Sequence, residues 1–434
     1  MLLKFILLFA NFATALDNGV GKLPKMGYNT FNAFGCNYDQ GKLLLQAEAM
    51  VQYGLVEAGY NSIIFDDCFT EKERGADGRL LPDLSKWPQG LRNVTLRLKD
   101  MGITASAYSD AGYRTCAGYP GSYGHEVEDL ATFEDWGFDY LKYDNCFIPF
   151  DNVTQENVFG RYARMADAIA SRSTKTKQAP FWFSLCEWGW QQPWIWGKRL
   201  GHSWRINGDI KPWWSAIAAI IDIASFQYWA TDFYGHNDLD LLEVGNVGQG
   251  EPHGNLTFDE AKSHFTAWAL LKSPLFISTN LANVSMEVIE ILRNRDIIKI
   301  NQDPNIGEGI SPFRWGNGQP DFVSNSSYPA QYWSGNSSYG VVFMILNTQD
   351  HPADMFFNLT ESWAIRAGRL YEVYDLWSHT KNGTAMRNMT VHLPSHGVAA
   401  LLLKDSGPEP TALDLPYCAG WWQCSWPNGT YYSN

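Results

Sequence analysis

Over the first two thirds of the chain, the hydrophobic positions switch between two periods. Short apolar runs recur at Met26–Asn29, Ser62–Phe65, Ile103–Tyr108, Tyr140–Tyr143, Phe181–Leu185, Ser203–Arg205, Tyr228–Thr231 and Leu275–Ser278, and each reads as a strand. Between them the apolar residues return every three or four positions, in Leu43–Tyr53, Glu126–Trp136, Gly160–Ser171, Ser215–Ser225 and Phe258–Leu271, which is the spacing of amphipathic helices. Eight strands alternating with helices over roughly 280 residues fit a (β/α)8 barrel, which needs about 250. A doubly wound open sheet shares the alternation, but no Gly-rich dinucleotide or phosphate fingerprint follows the first strand. The expected fold class is therefore α/β, with a TIM barrel over residues 22–307.

The pattern changes after Gly307. Period-two runs at Tyr339–Leu346, Leu370–Tyr374 and Val398–Leu403 are separated by Asn, Gly and Ser clusters, and helical periodicity survives only near Glu361–Arg366. An antiparallel β-sandwich over residues 308–404 is expected. Residues 405–434 form a Pro-rich, then aromatic tail in which Cys418 and Cys424 bracket Trp421 and Trp422. Exposed Trp pairs are costly, so the tail, with Trp426, is expected to dock on the body; a subunit contact or a polysaccharide platform are the alternatives.

Composition narrows the setting. Met1 to Ala15 carries one Lys, an apolar run and Ala13-Thr14-Ala15, the form of a secretory signal peptide cleaved after Ala15. The run is far short of a membrane span, and a net charge of -13 argues against nucleic acid or an anionic membrane as partner. Seven cysteines in a secreted chain suggest disulfides with one thiol left over, whose connectivity sequence alone does not give. Asn-X-Ser/Thr sequons at Asn93, Asn152, Asn255, Asn283, Asn325, Asn336, Asn358, Asn382, Asn388 and Asn428 point to a glycoprotein. The histidines form no zinc-like cluster, and Asn237-Asp238-Leu239-Asp240 lacks the rest of a calcium loop, so neither metal nor cofactor is expected.

Barrel active sites lie at the C-terminal ends of the strands. There the sequence places Asp66 and Asp67, Asp110, Asp144, Glu187, Asp209, Asp238 and Asp240, interleaved with Tyr28, Tyr108, Trp188 and Trp204. Carboxylates accept from sugar hydroxyls and aromatic faces stack on the C–H face of a pyranose, so the set suits a carbohydrate site. Strand alternation puts Tyr140, Lys142 and Asp144 on one face, where an ammonium would favour the ionised carboxylate a nucleophile needs. Asp209 follows Arg205 by four residues on a Gly-containing turn, a spacing that permits a general acid; the N-cap of the helix through Ser215 is the alternative.

Seven segments, in order and spacing, carry a resemblance: Phe65-Asp66-Asp67-Cys68, Thr115–Ser122, Tyr140–Cys146, Cys186-Glu187-Trp188-Gly189, Ser203–Ile210, Asn237–Asp240 and Lys272-Ser273-Pro274-Leu275. From Leu23 to Lys404 the chain resembles the α-galactosidase (melibiase) and α-N-acetylgalactosaminidase family of glycoside hydrolases, family 27, of the secreted fungal and plant type. The resemblance implies Asp144 as nucleophile and Asp209 as acid/base. It implies galactose binding by Tyr28, Asp66, Asp67, Tyr108, Lys142, Cys186, Trp188, Arg205 and Asp240, with Asp66 and Asp67 on the 4- and 6-hydroxyls. It further implies disulfides Cys36–Cys68 and Cys116–Cys146, leaving Cys186 free and Cys418–Cys424 as a local bridge. The chain departs from the family at Tyr28 and Phe31, where Trp is usual, and at Leu241, where Met is common. These changes keep apolar surface and bear on the aglycone.

The implied reaction is retaining, exo-acting hydrolysis of α-D-galactosides in oligosaccharides, galactomannans or galactolipids, with an acidic optimum and no cofactor. An α-N-acetylgalactosaminidase is the nearest rival, but Cys186-Glu187-Trp188-Gly189-Trp190 is bulky where an acetamido group needs room. A β-L-arabinopyranosidase is disfavoured by the presence of both Asp66 and Asp67. A non-catalytic sugar-binding barrel would tolerate loss of Asp144 or Asp209, and both are present.

Overall fold

A computed structural model describes residues 16–149, 157–246, 255–315, 324–410, 413–414, 416–424 and 430. The expected signal peptide, Asn152, Asn428 and Trp426 lie outside the described residues.

Eight parallel strands build the first domain: β1 (Met26–Asn29), β2 (Ser62–Ile64), β3 (Thr104–Asp110), β4 (Phe138–Asp144), β5 (Trp182–Leu185), β6 (Ser203–Arg205), β7 (His236–Asp238) and β8 (Leu275–Ile277). They pair in the order β7-β6-β5-β4-β3-β2-β1-β8. The sheet curls into a TIM-like barrel, because Leu242, just beyond β7, bridges Ile277 of β8. Helices wrap the outside, and buried side chains on both strand faces give the short, nearly all-apolar runs seen in the sequence. Inside, Tyr140 stacks on Trp182 at 5.0 Å. The Ser62 and Ser106 hydroxyls meet at 2.7 Å and satisfy one another.

Local chemistry sets the helix limits. Asp39 caps Gln40–Gln52 by accepting from the Lys42 N–H, and Gly137, at φ 91°, ends Glu126–Trp136 in the left-handed conformation. Helix Phe258–Leu270 opens with a reciprocal Thr257/Glu260 capping box. It is buried almost all round because the second domain lies on its outer side, where Trp377 Nε1 donates to Thr266 Oγ1 at 3.1 Å.

One strand differs from expectation. Tyr228–Thr231 is a 3-10 turn, Tyr228–Ala230, and the seventh strand is the polar His236–Asp238. Its polarity hid it, yet its central side chain is paired: Asn237 accepts from Trp204 Nε1 at 2.7 Å and donates to Gln227 O at 2.7 Å.

The second domain is antiparallel: β9 (Ser311–Arg314), β10 (Tyr332–Ser337), β11 (Gly340–Leu346), β12 (Ala353–Asn358), β13 (Arg369–Asp375), β14 (Thr380–Met386), β15 (Asn388–Leu393) and β16 (Val398–Pro408), which runs past Lys404. The order is β12-β15-β14-β13-β16-β11-β10-β9. A single pairing, Met386 with Asn388, joins β14 to β15, and the sheet folds there into a β-sandwich. Alternate residues divide the work: Phe343, Ile345, Leu401 and Leu403 fill the sandwich, while Val342, Met344, Ala400 and Leu402 join the barrel core. The helical periodicity near Glu361–Arg366 is only the turn Leu359–Glu361 with bends after it.

The tail docks through Gln423 and through Trp422, which stacks on Trp363 at 5.0 Å. Buried Gln423 donates to Thr360 O, Ser362 O and Ile365 O at 3.0, 2.6 and 3.1 Å, while Trp421 stays 73% exposed. Cysteines pair as Cys36–Cys68, Cys116–Cys146 and Cys418–Cys424, and Cys186 is free and buried.

Gly27 marks the tightest point of β1, since a Cβ there would stand 2.4 Å from Ser62 O and 2.8 Å from the Phe276 ring. Gly27→Ala is expected to lower the unfolding free energy by about 1–3 kcal/mol through overpacking. Denaturant midpoints measured against the parent chain test it, and an unchanged midpoint would show that the barrel yields there.

Candidate active site

The strand ends gather the carboxylates into one pocket. Asp66 and Asp67 lie two and three residues past β2, Asp144 ends β4, Asp209 lies on the turn after β6, and Asp240 lies two residues past β7. The pocket is walled by these five with Tyr108, Lys142, Trp188 and Arg205, and also by Phe31, Asn32, Cys116 and Leu241. Of the residues singled out in the sequence, Tyr28 and Cys186 stand behind this wall. Tyr28 is fully buried with its hydroxyl unpartnered, and Cys186 Sγ lies 3.6 Å from Arg205 Nη1.

Asp144 sits at the floor with its acceptor sites filled. Tyr108 Oη donates to Oδ2, and Trp188 Nε1 and the Asn145 N–H donate to Oδ1, each at 3.0 Å. Burial raises its pKa, Lys142 opposes the rise, and the charge of Asp209 adds to it. Lys142 Nζ bonds Asp66 Oδ2 at 2.7 Å, and Asn29 Nδ2 donates to the same oxygen at 2.5 Å. Against burial, Asp66 and Asp144 hold the ammonium well above its usual pKa.

A second cation, Arg205, is only 3% exposed and bridges Asp240 Oδ2 at 2.8 Å and Asp209 Oδ1 at 3.1 Å. Asp209 itself is 68% exposed at the rim. Burial tends to raise its pKa, but Arg205 prevails and holds it below the usual carboxylate value. Asp209 is not a helix cap, since the helix Trp214–Ala224 starts after Trp213, which makes no side-chain cap. Asp240 is fixed by the N–H groups of Ile210 and Leu241, both at 2.8 Å, and adopts φ 83°; Trp188 adopts φ 60°. Two non-glycine residues held left-handed at one site store strain that the surrounding bonds must sustain.

The other acids have separate work. Asp67 accepts from the N–H groups of Cys68 and Ala117 at 2.7 Å, and burial pushes it up to about 6 against those donors. Asp110 accepts from Gly112 and Cys146 N–H and so ties the loops after β3 and β4. Asp110, Cys116, Asp144 and Cys146 approach closely enough for a cation, but both sulfurs are in the disulfide. Glu187 is fully buried with neither carboxyl oxygen bonded, and burial raises its pKa well above the usual value.

Sequence reasoning passed over Asn29, Asn32, Glu243 and Asn246. Glu243 accepts from the side chains of Asn32 and Asn246, joining the loops after β1 and β7 that carry Phe31, Asn32 and Leu241 to the pocket. Its only local signal is an acid three residues past the seventh-strand motif.

Comparison with known proteins agrees over both domains. Residues 23–303 match the family described as Alpha galactosidase A, and residues 327–403 match the Alpha galactosidase C-terminal beta sandwich domain. A probable α-galactosidase B of Talaromyces emersonii is 37% identical over 90% of this chain and 94% of its own. The α-galactosidase mel1 of Schizosaccharomyces pombe is 35% identical over 91% of this chain and 92% of its own. Among solved structures, α-galactosidase I of Mortierella vinacea superposes with a TM-score of 0.81 at 32% identity, covering 91% of this chain and all of that one (100%). The α-galactosidase of Saccharomyces cerevisiae with raffinose gives 0.79 at 30%, covering 90% and 99%.

Burial pushes Glu243 up to about 8 from 4.5. The fold therefore holds a proton there that the unfolded chain has released, so this contribution is complete at low pH and is lost as pH rises through 8. The buried His202, His236 and His264, lowered to about 4, 3 and 3, titrate only in the unfolded chain near 6.5 and contribute the same slope to parent and variant, so they cancel in the comparison. Thermal midpoints between pH 6.5 and 8 should fall less steeply for Glu243→Gln than for the parent, and parallel profiles would refute the assignment.

Proposed function

We propose that this chain, which belongs to the α-galactosidase (melibiase) family 27 of glycoside hydrolases and is an α-galactosidase of that class, releases terminal α-D-galactose by double displacement with retention. Asp144 attacks the anomeric carbon, while Asp209 protonates the departing oxygen and then deprotonates the incoming water. The observation that carries this reading is the shared pocket. Asp144 is held at its floor by Tyr108 and Trp188, and Asp209 is held at its rim by Arg205. Retention requires the two carboxyls about 5–5.5 Å apart.

The substrate class follows from the walls. Asp66 and Asp67, fixed by Lys142, Asn29 and backbone donors, take the 4- and 6-hydroxyls, and Trp188 faces the ring. A relative from Saccharomyces cerevisiae is known with raffinose, and we assign raffinose-type oligosaccharides or other terminal α-galactosides to this chain. Phe31, Asn32 and Leu241 meet the aglycone. The chain is secreted after loss of Met1–Ala15 and carries N-linked glycans. Three disulfides support the secretory route, and among the described residues no helix is long and apolar enough to cross a membrane.

Proton NMR of p-nitrophenyl α-galactoside turnover at acidic pH is expected to show α-galactose first; β-galactose first would mean inversion and overturn the mechanism. Asp144→Asn is expected to abolish turnover. Asp209→Asn is expected to lose about 10²–10⁴-fold on raffinose but less on the aryl galactoside, whose leaving group needs little protonation. Equal losses on both substrates would remove Asp209 from the acid role.

A further inference from the structure

A second cavity, of about 360 Å³, lies where barrel meets sandwich, against about 60 Å³ for the catalytic pocket. Its walls are the turn before β7, the connection Ile306–Ser311, β10 and Trp363. That turn precedes a strand, so the cavity opens at the barrel end opposite the catalytic mouth. Two large indoles stay exposed on its walls, Trp229 at 57% and Trp363 at 60%. Neither is loose: Trp229 Nε1 is bonded to Phe226 O at 3.0 Å, and Trp363 stacks on Trp422 at 5.0 Å, 16° from parallel. Asp232, Glu308 and Ser334 add polar groups. Fixed aromatic faces beside carboxylates and a hydroxyl form a surface for a pyranose, in a volume within the range of small-molecule sites.

The occupant is indicated by the wall itself. Asn336, exposed on β10 and lining this cavity, begins the sequon Asn336-Ser337-Ser338. We propose that Asn336 carries an N-linked glycan whose first sugars occupy this cavity, against Trp229 and Trp363, and brace the sandwich on the barrel. The inference rests on the secretory reading above. The bond joins Asn336 Nδ2 to the anomeric carbon of the first N-acetylglucosamine. A lipid-pyrophosphate-linked oligosaccharide donates the sugar, its pyrophosphate leaves, and the amide loses one proton. A glycan tethered at the wall meets the indoles at high effective concentration, so weak stacking suffices to seat it.

The full chain, secreted from a glycosylating yeast, would be treated in its native state with an endoglycosidase and cleavage followed site by site by mass spectrometry. The Asn336 glycan is expected to be released about tenfold more slowly than those at Asn93 and Asn382. Trp229→Ala with Trp363→Ala should remove the difference, and Asn336→Gln should lower the thermal midpoint while leaving aryl-galactoside kinetics unchanged. Glycans at Asn93 and Asn382 with Asn336 bare or rapidly cleaved would overturn the inference and leave secretion standing. No glycan at any sequon would overturn both. Retention of Asn336→Gln on galactomannan with the catalytic pocket saturated by galactose, lost in Trp363→Ala, would give the cavity to an external polysaccharide instead.

Discussion

Two buried cations, Lys142 and Arg205, face more carboxylates than they can neutralise, and the organisation of the barrel mouth depends on that imbalance. Lys142 is committed to Asp66 and Arg205 to Asp240 by short bonds between largely buried partners. Removing one partner of such a pair leaves an uncompensated buried charge, which costs about 3–5 kcal/mol. Acids without a cation of their own must lose charge or collect donors. Burial moves Asp67 and Asp238 up to about 6, and it raises Glu187, whose carboxyl oxygens have no donor, well above the usual value. Asp144 instead collects Tyr108, Trp188 and the Asn145 N–H.

The barrel supplies the convergence that this arrangement needs. Parallel strands end at one rim, so residues from chain positions 66 to 240 meet in one pocket, and backbone donors just beyond each strand secure the acids. Among the described residues, none of the sandwich lines this pocket. The sandwich covers helix Phe258–Leu270, and Trp268 Nε1 in that helix donates to Asp240 O at 2.8 Å, so the second domain steadies the site from behind.

Where local pattern coincides with geometry, the sequence was readable. The alternation Tyr140, Lys142, Asp144 put an ammonium beside a carboxylate, and the strand places them so. The seventh strand was not readable, because His236–Asp238 is polar while the neighbouring aromatic run forms a turn. Asp209 offered two roles locally, and only the start of the helix at Trp214 removes the capping one. Glu243 was invisible because its partner Asn32 is 211 residues away. The tail's anchor was missed for the same reason: Gln423 reaches carbonyls about sixty residues earlier, whereas Trp421 remains outside and Trp422 adds a stack on Trp363.

In the double displacement proposed above, Asp209 must be protonated and Asp144 ionised for the first step, whereas burial and charge in the pocket favour the reverse. Burial raises Asp144 while Arg205 lowers Asp209, so a proton shared between them favours Asp144. On that proposal an aglycone seated on the rim beside Phe31 and Leu241 would strip water from Asp209, which is 68% exposed, and desolvation raises a carboxyl pKa. At the floor, positive charge developing on the anomeric carbon favours the ionised form of Asp144, already supplied with three donors. Both effects move the proton toward the leaving oxygen. Arg205 opposes them through its bond to Asp209, but its tighter partner is Asp240, so it can release Asp209 without being left unpaired. Under the proposed mechanism binding would thereby set the acid and the nucleophile in one step, so that a rim residue and a floor residue of the same type take opposite roles.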